Sequence, residues 1–492
     1  MLFNSWIFVG LVLTTVSVYY TVGKTENLQI GVLLVSSSVF YAYSQPLLLV
    51  LLFASIFINT VASYLIVIAD KSIGRKSWAI SGILANLAIL ACFKYAALFA
   101  NALPGGVSES GGIGAFLVQL PLPIGISFYT FQGISLLADT FNRDYLPKQK
   151  ADFRKHFRDT FLFISFFPQL VAGPVVKAKQ FMPQICMKRW ADIDWQSVLH
   201  CLVCGYFLKM VVADNLKDQT YWIQYPFFEF RSSIDLIVML VGFSAQIFAD
   251  FAGYSLIAIG VAKLFGYTLP KNFNFPYISL SVTEFWRRWH ISLSSWLREY
   301  LYIPLGGNRL GSVRTYVNLL LVMFIGGLWH GAAWSFAIWG LWHGAGLAVE
   351  RAAKGYFYKD HGADGTSALN PKPLAKPHYL ASPVMYLSLF ARWALVFMFV
   401  TVGWLLFELT NIAQAAQYLK SILVNTSIGL NPVLLLVTAL LVAPVALYHM
   451  LYLVSLRHAP RLECLKAPLY GAMLFLIIFN SGTPESFVYF QF

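Results

Sequence analysis

Three histidines and one aspartate stand where their side chains could do chemistry. His330 and His343 lie in an apolar segment, IGGLWHGAAWSFAIWGLWHG; His290 lies in the arginine- and tryptophan-rich run TEFWRRWHISLSSWLREYLYIPLGGNR; Asp250 lies in AQIFADFAGYS. An ionisable group where water is scarce costs free energy unless it faces a protein interior, a partner or a cavity, so each is a functional candidate. A histidine there can take the proton of a hydroxyl so that the oxygen attacks an activated acyl group, a contribution of about 10²–10⁴-fold in rate. The same residue can relay protons in a coupled transporter. Zinc-ligand spacing, a phosphate-binding G-x-x-x-x-G-K-[ST] loop and a G-x-S-x-G nucleophile elbow are missing from the sequence.

Each candidate carries a second reading. Asp250, flanked by Phe248, Ala249, Phe251 and Ala252, either serves the site or pairs with an interior arginine or tyrosine to fix helix packing. Ser281 and Glu284 have the spacing of a capping box that starts a helix near Val282. Carried forward at 100° per residue, that helix is amphipathic, with Trp286, Trp289, Leu293, Trp296, Leu297 and Tyr300 on one face and Arg287, Arg288, Arg298 and Glu299 on the other. His290 falls at the edge of the aromatic face and is either a hydrogen-bonded core residue or a catalytic one. His330 and His343 sit inside two G-x-x-x-G frames, Gly327 to Gly331 and Gly340 to Gly344, where small residues admit a neighbouring helix or an extended substrate. Thirteen residues on one continuous helix amount to about 220° of rotation, so unless the helix breaks between them the two histidines cannot share a face, and His343 reads as a packing residue.

The chain that must position these residues has 492 amino acids, 58% hydrophobic and 12% charged, and a water-soluble fold has nowhere to put so much apolar surface. The expectation is an all-α polytopic membrane protein, a single domain over 1–492 with about eleven spans, examples being Ile30 to Tyr43, Leu47 to Ala69 and Ile234 to Phe248. The net charge of +13 is spread through short loops, which speaks for membrane orientation and not for a nucleic-acid partner. Lys71, Arg75 and Lys76 place one loop in the cytoplasm, Asn101 to Gly114 has no Lys or Arg, and counting back puts the N-terminus outside. Its first residues lack a basic n-region and read as a retained helix. Lys94 reads as a lysine snorkelling to the interface in preference to one with a site role. Phe161 to Val176, with Pro168, Gly173 and Pro174 inside it and basic residues on both sides, reads as a re-entrant element. Val198 to Ala213 carries His200, Cys201 and Cys204, read as small residues packing in a membrane helix; the five cysteines form no disulfide framework. The polar stretch 351–383 is expected to be a flexible cytoplasmic loop.

Transporters usually show internal repeats with paired broken helices, and none is visible here, which tilts the choice from a proton-coupled transporter toward an enzyme. The two motif runs, together with LPIGISFYTFQ, FFPQLVAGP, FLKMVVADNL, FADFAGYS, KNFNFPYIS and YFQF in the same order, resemble the membrane-bound O-acyltransferase family, in particular its bacterial alginate O-acetylase branch. That resemblance implies helices and re-entrant or interfacial elements around a central funnel or tunnel, in a multi-pass protein of the bacterial inner membrane. It implies transfer of an acyl group, usually acetyl, from a cytoplasmic donor such as acetyl-CoA or another acyl thioester, with no tightly bound cofactor and no metal. The acceptor would be an extracytoplasmic polysaccharide of alginate, cellulose or peptidoglycan type, and the partner a periplasmic or membrane-tethered second acyltransferase. It also makes His330 the catalytic histidine and His290 a second functional one, with Asp250, Trp286, Arg287, Arg298 and Trp329 as supporting or tunnel residues. One departure is Leu256, in G-Y-S-L where the family commonly has an acid; residues Ala333 to Phe336 vary within the branch and name no substrate.

Overall fold

The computed structural model describes residues 1–96, 122–144, 152–171, 173–358, 383–462 and 466–483. The loop 101–114, which has no Lys or Arg, and the last residues, YFQF included, lie outside them. Among the described residues the chain is helical and contains no strand. In order, the main helices are α1 Trp6–Thr21, α2 Glu26–Ala42, α3 Leu49–Ile68, α4 Ser72–Leu90, α5 Ile126–Asn142, α6 Phe153–Ser165, α7 Trp195–Tyr206, α8 Ser233–Leu264, α9 Val282–Arg288, α10 Ile291–Leu297, α11 Ser312–His330, α12 Trp334–Tyr358, α13 Pro383–Glu408, α14 Ile412–Val424, α15 Pro432–Leu462 and α16 Lys466–Phe479. Seven described helices are long and apolar enough to cross a membrane, and α1 and α16 are shorter apolar helices. Exposed Leu13, Val35, Leu84, Phe390, Leu436 and Phe475 form part of the outward apolar surface, which only lipid can cover without penalty.

α8 is apolar on every side, a pattern that suits a helix surrounded by protein, and it is buried along most of its length. It packs against α7, α13, α14 and α15. Asp250 on α8 sits 2.7 Å from the ammonium of Lys209, which lies 2.7 Å from Asp214 as well, all three buried. The aspartate is therefore in an ion network with a lysine, where the sequence suggested an arginine or a tyrosine.

α3, α4 and α5 define two ends of the molecule. Gln45, before α3, hydrogen-bonds the Leu122 carbonyl and the Ile124 amide at the start of α5. At the other end Arg75 donates to the Thr140 and Phe141 carbonyls. The segment 153–179 enters from this second, basic end: α6 breaks at Phe166, the chain reaches the start of α5, and Lys179 returns beside Asp139, its amide 3.0 Å from the carboxylate. At the turning point Gly125 is left-handed, φ 77°, and a Cβ there would lie 2.6 Å from the Leu170 carbonyl. The interrupted backbone is satisfied by side chains, as buried peptide groups require: Gln132 and Gln169 donate to the Phe163 carbonyl, Ser37 accepts from the Phe167 amide and Ser292 from the Val175 amide. This is the re-entrant course expected for Phe161 to Val176. Of the stretch 351–383 expected to be a flexible loop, residues 351–358 belong to α12, which stays helical to Tyr358; positions 359–382 lie outside the described residues.

Candidate active site

The expected amphipathic helix from Val282 onward is two helices with a sharp turn between them. Ser281 caps α9, its hydroxyl accepting from the Glu284 amide, while Glu284 accepts from the Leu280 amide. α9 then stops at Arg288, and His290 adopts the left-handed conformation, φ 43°, before α10 begins. Such a backbone costs a non-glycine residue on the order of 1–3 kcal/mol and persists only where its surroundings enforce it. Here the enforcing residue is Asn272: its carbonyl accepts from the Ile291 amide, and its side-chain oxygen lies 3.3 Å from His290 Nδ1 and accepts from Ser292. Its amide nitrogen donates to Ser255 on α8. The turn drives His290 into the interior, fully buried, with Phe251 edge-on at 4.6 Å.

His330 is the last residue of α11, and Gly331 after it is extended, so the helix does break between the two histidines. The 220° rotation therefore does not apply, and His330 and His343 contact the same tryptophan, Trp339, with ring centres at 5.1 and 4.9 Å. The two glycine frames face one another: a Cβ on Gly327 would lie 2.2 Å from the Phe336 carbonyl, and one on Gly340 would lie 2.2 Å from the Met323 carbonyl and 3.2 Å from Gly327 Cα. What the small residues admit is thus α12 against α11. His343 occupies an aromatic box of Phe285, Trp286, Trp339, Phe399 and Trp404.

His290 and His330 come together, their ring centres 6.4 Å apart. Trp329 packs on both, at 5.9 and 4.9 Å, and Phe128 and Phe131 of α5 cover it at 5.4 Å each. Phe407 of α13 closes the other side of His330. His330 and Trp329 line a cavity of about 290 Å³ with Lys94, Gln45, Gly125, Ser127 and Val171. Of the expected supporting residues, Trp329 lies in this wall, whereas Trp286 belongs to the box around His343 and Arg287 and Arg298 are exposed. Asp250 precedes Phe251, which touches His290, but its own partner is Lys209.

Lys94 does not snorkel. It is buried, in a π-helical turn, Ala91–Tyr95, that continues α4, and its ammonium lies 2.5 Å from the Trp329 carbonyl and 3.2 Å from the Ser127 hydroxyl. Asn272 and Lys94 are the residues that sequence reasoning missed or misplaced; a lysine in an otherwise apolar run was the one signal available for Lys94.

Comparison with known proteins agrees with the motifs. Residues 37–361 match the model of a family described as MBOAT, membrane-bound O-acyltransferase. The chain is 37% identical over 428 residues to a probable alginate O-acetylase AlgI of Pseudomonas putida, covering 85% of this chain and 79% of that protein. It is 34% identical over 428 residues to a peptidoglycan O-acetyltransferase of Helicobacter pylori, covering 82% and 74%. A teichoic acid D-alanyltransferase of Bacillus subtilis is 30% identical over 230 residues, 44% of this chain and 55% of the relative.

Proposed function

We infer the function from one premise: the chain belongs to the membrane-bound O-acyltransferase family. It is accordingly a multi-pass membrane acyltransferase, and the alternative of a proton-coupled transporter falls away. The finer reading is that it takes an acetyl group from a cytoplasmic thioester, acetyl-CoA or another, and delivers it toward a polysaccharide hydroxyl outside the cytoplasm. The named activities of the relatives, on alginate and on peptidoglycan, support a polysaccharide acceptor. The transfer chemistry is completed outside by a periplasmic or membrane-tethered second acyltransferase.

The observation that carries this reading is the place of His330, at the end of α11 on the wall of a cavity with His290 beside it. His330 takes the proton of an acceptor hydroxyl as its oxygen bonds to the thioester carbonyl carbon; the C–S bond breaks and the proton passes to the departing thiolate. Aromatic walls on His330 exclude water, which strengthens electrostatic interactions within the site. His290, held by Asn272, shapes the site next to that base. The charge rule that puts Arg75 and Arg143 in the cytoplasm puts Gln45 and the mouth of the cavity on the outside, in the bacterial inner membrane, with the N-terminus periplasmic.

Replacing His330 with Ala is expected to abolish base-labile acetate on the envelope polysaccharide of the producing cell while the protein still accumulates in the membrane. Full acetylation by His330→Ala would sink the assignment.

A further inference from the structure

Two adjacent residues at the end of one helix hold three consecutive carbonyls at the end of another. The Lys94 ammonium reaches the carbonyls of Trp329 and His330, at 2.5 and 3.3 Å, and the Tyr95 hydroxyl donates to the carbonyl of Leu328 at 2.8 Å. The last four carbonyls of an α-helix have no partner within it. Many helices satisfy them with the amides of the residues just beyond, through a left-handed residue that folds the chain back. α11 does not use that route, because Gly331 is extended, φ −162°, and carries the chain away. Side chains from α4 do the work instead, and an ammonium at that position also meets the negative end of the helix dipole.

The third partner of Lys94 is the Ser127 hydroxyl, 3.2 Å away on α5. An ammonium has three hydrogens, and these three oxygens account for all of them. Lys94 lines the cavity beside His330, yet it has no donor left for a ligand there. A buried lysine is expensive in an apolar segment, and a π turn is a backbone form found mostly at functional sites. The whole arrangement acts on a single object, the final turn of α11, and the last residue of that turn is His330.

We propose that Lys94, assisted by Tyr95, is a positioning residue for His330: it clamps the last turn of α11 and so fixes where the imidazole stands in the cavity. The proposal rests on the reading of His330 as the base of acyl transfer. A displacement of about 1 Å at a reacting group can cost about 10²-fold in rate, so a clamp on the backbone that carries the base has catalytic weight without touching substrate.

The test uses the full chain in lipid nanodiscs, with Lys94→Gln, Lys94→Arg, Tyr95→Phe and His330→Ala beside the unaltered protein. One measurement is the single-turnover rate constant for release of thiol from acetyl-CoA in the presence of an alginate or peptidoglycan oligosaccharide as hydroxyl acceptor, with enzyme in saturating excess, a first-order constant that does not fall when a variant merely lowers the folded fraction. The other is hydrogen exchange of the peptide from Phe324 to Ala333. Lys94→Gln is expected to lower the rate constant by about 10–100-fold with the equilibrium affinity for acetyl-CoA unchanged, to speed exchange in that peptide and to leave Ser312 to Val322 protected as before. Lys94→Arg should recover part of the rate, and Tyr95→Phe should show a smaller effect of the same kind. An unchanged rate constant in Lys94→Gln overturns the clamp. If the unaltered protein releases no more thiol than His330→Ala, the functional reading has failed, and the exchange data still decide the clamp: equal protection of the 324–333 peptide in Lys94→Gln overturns it.

Discussion

His330 stood out in the sequence as an imidazole in an apolar run and His290 as one at the edge of an aromatic helix face, and the structure brings the two within 6.4 Å of each other. Their supports were not legible for opposite reasons. Asn272 lies in the motif KNFNFPYIS, but a neutral amide there signals no particular role, and only the tertiary fold reveals that it holds both the backbone and the side chain of the His290 turn. Lys94 was visible but was assigned the commonest role of a membrane lysine. Asp250 was visible too, and its immediate job is ionic: Lys209 stands between it and Asp214. Removing one member of a buried ion group leaves uncompensated charge and costs about 3–5 kcal/mol. Lys209→Met should therefore lower the thermal midpoint in detergent strongly, and adding Asp214→Asn and Asp250→Asn should restore much of the loss. A single variant that melts like the unaltered protein would remove the triad from the account of stability.

At the scale of elements, the long helices followed from apolar runs of sufficient length, whereas their interruptions did not. The turn at His290 needs a left-handed residue that sequence periodicity cannot signal, so the one helix expected from Val282 is two, although Trp289, Leu293, Trp296 and Leu297 of the expected aromatic face are buried and Arg298 is exposed. The glycine frames were legible as close contacts, although not as contacts with each other. Gly340→Val should force α11 and α12 apart, since its Cβ would meet the Met323 carbonyl, at a cost of about 1–3 kcal/mol or more. Gly355→Ala on the same helix, where nothing lies within 4 Å, should melt normally; equal midpoints for both would refute the close-approach argument. A third element-level link joins the returning limb to the turn after α10: Glu299 pairs with Lys177 at 2.7 Å and Lys179 at 3.0 Å. Burial opposes ionisation of Glu299, but hydrogen bonds and charge from the two lysines outweigh it and hold the carboxyl below its ordinary value. A lowered folded-state pKa gives stability that is present above the unfolded value, about 4.3, and is lost as pH falls through the folded one. The midpoint difference between the unaltered protein and Glu299→Gln should accordingly be steady above about pH 5.5 and shrink below about pH 4; a difference that grows on acidification would contradict the pairing.

For the whole molecule, the basic residues near Arg75 and Arg143 and the cavity mouth near Gln45 lie at opposite ends of α3 and α5, so one orientation decides which compartment meets His330. In a cysteine-free background, Gln45→Cys should react with a membrane-impermeant maleimide added to intact spheroplasts and Arg75→Cys only after lysis. The reverse pattern would turn the acceptor side inward. That the chain is a helical membrane protein was legible from composition alone; which distant segments share a wall was not, because it depends on tertiary pairing. The cavity draws on Gln45, Lys94, Gly125, Val171 and His330, and the ring that closes His330 from behind is Phe407, beyond the family match that ends at residue 361. A ribosome making this protein has inserted all the described residues that line the cavity before it reaches that ring. The nascent chain thus carries His330 half-wrapped until α13 enters the bilayer, and any chain that stops short of Phe407 should keep every motif except the terminal YFQF and have no working site.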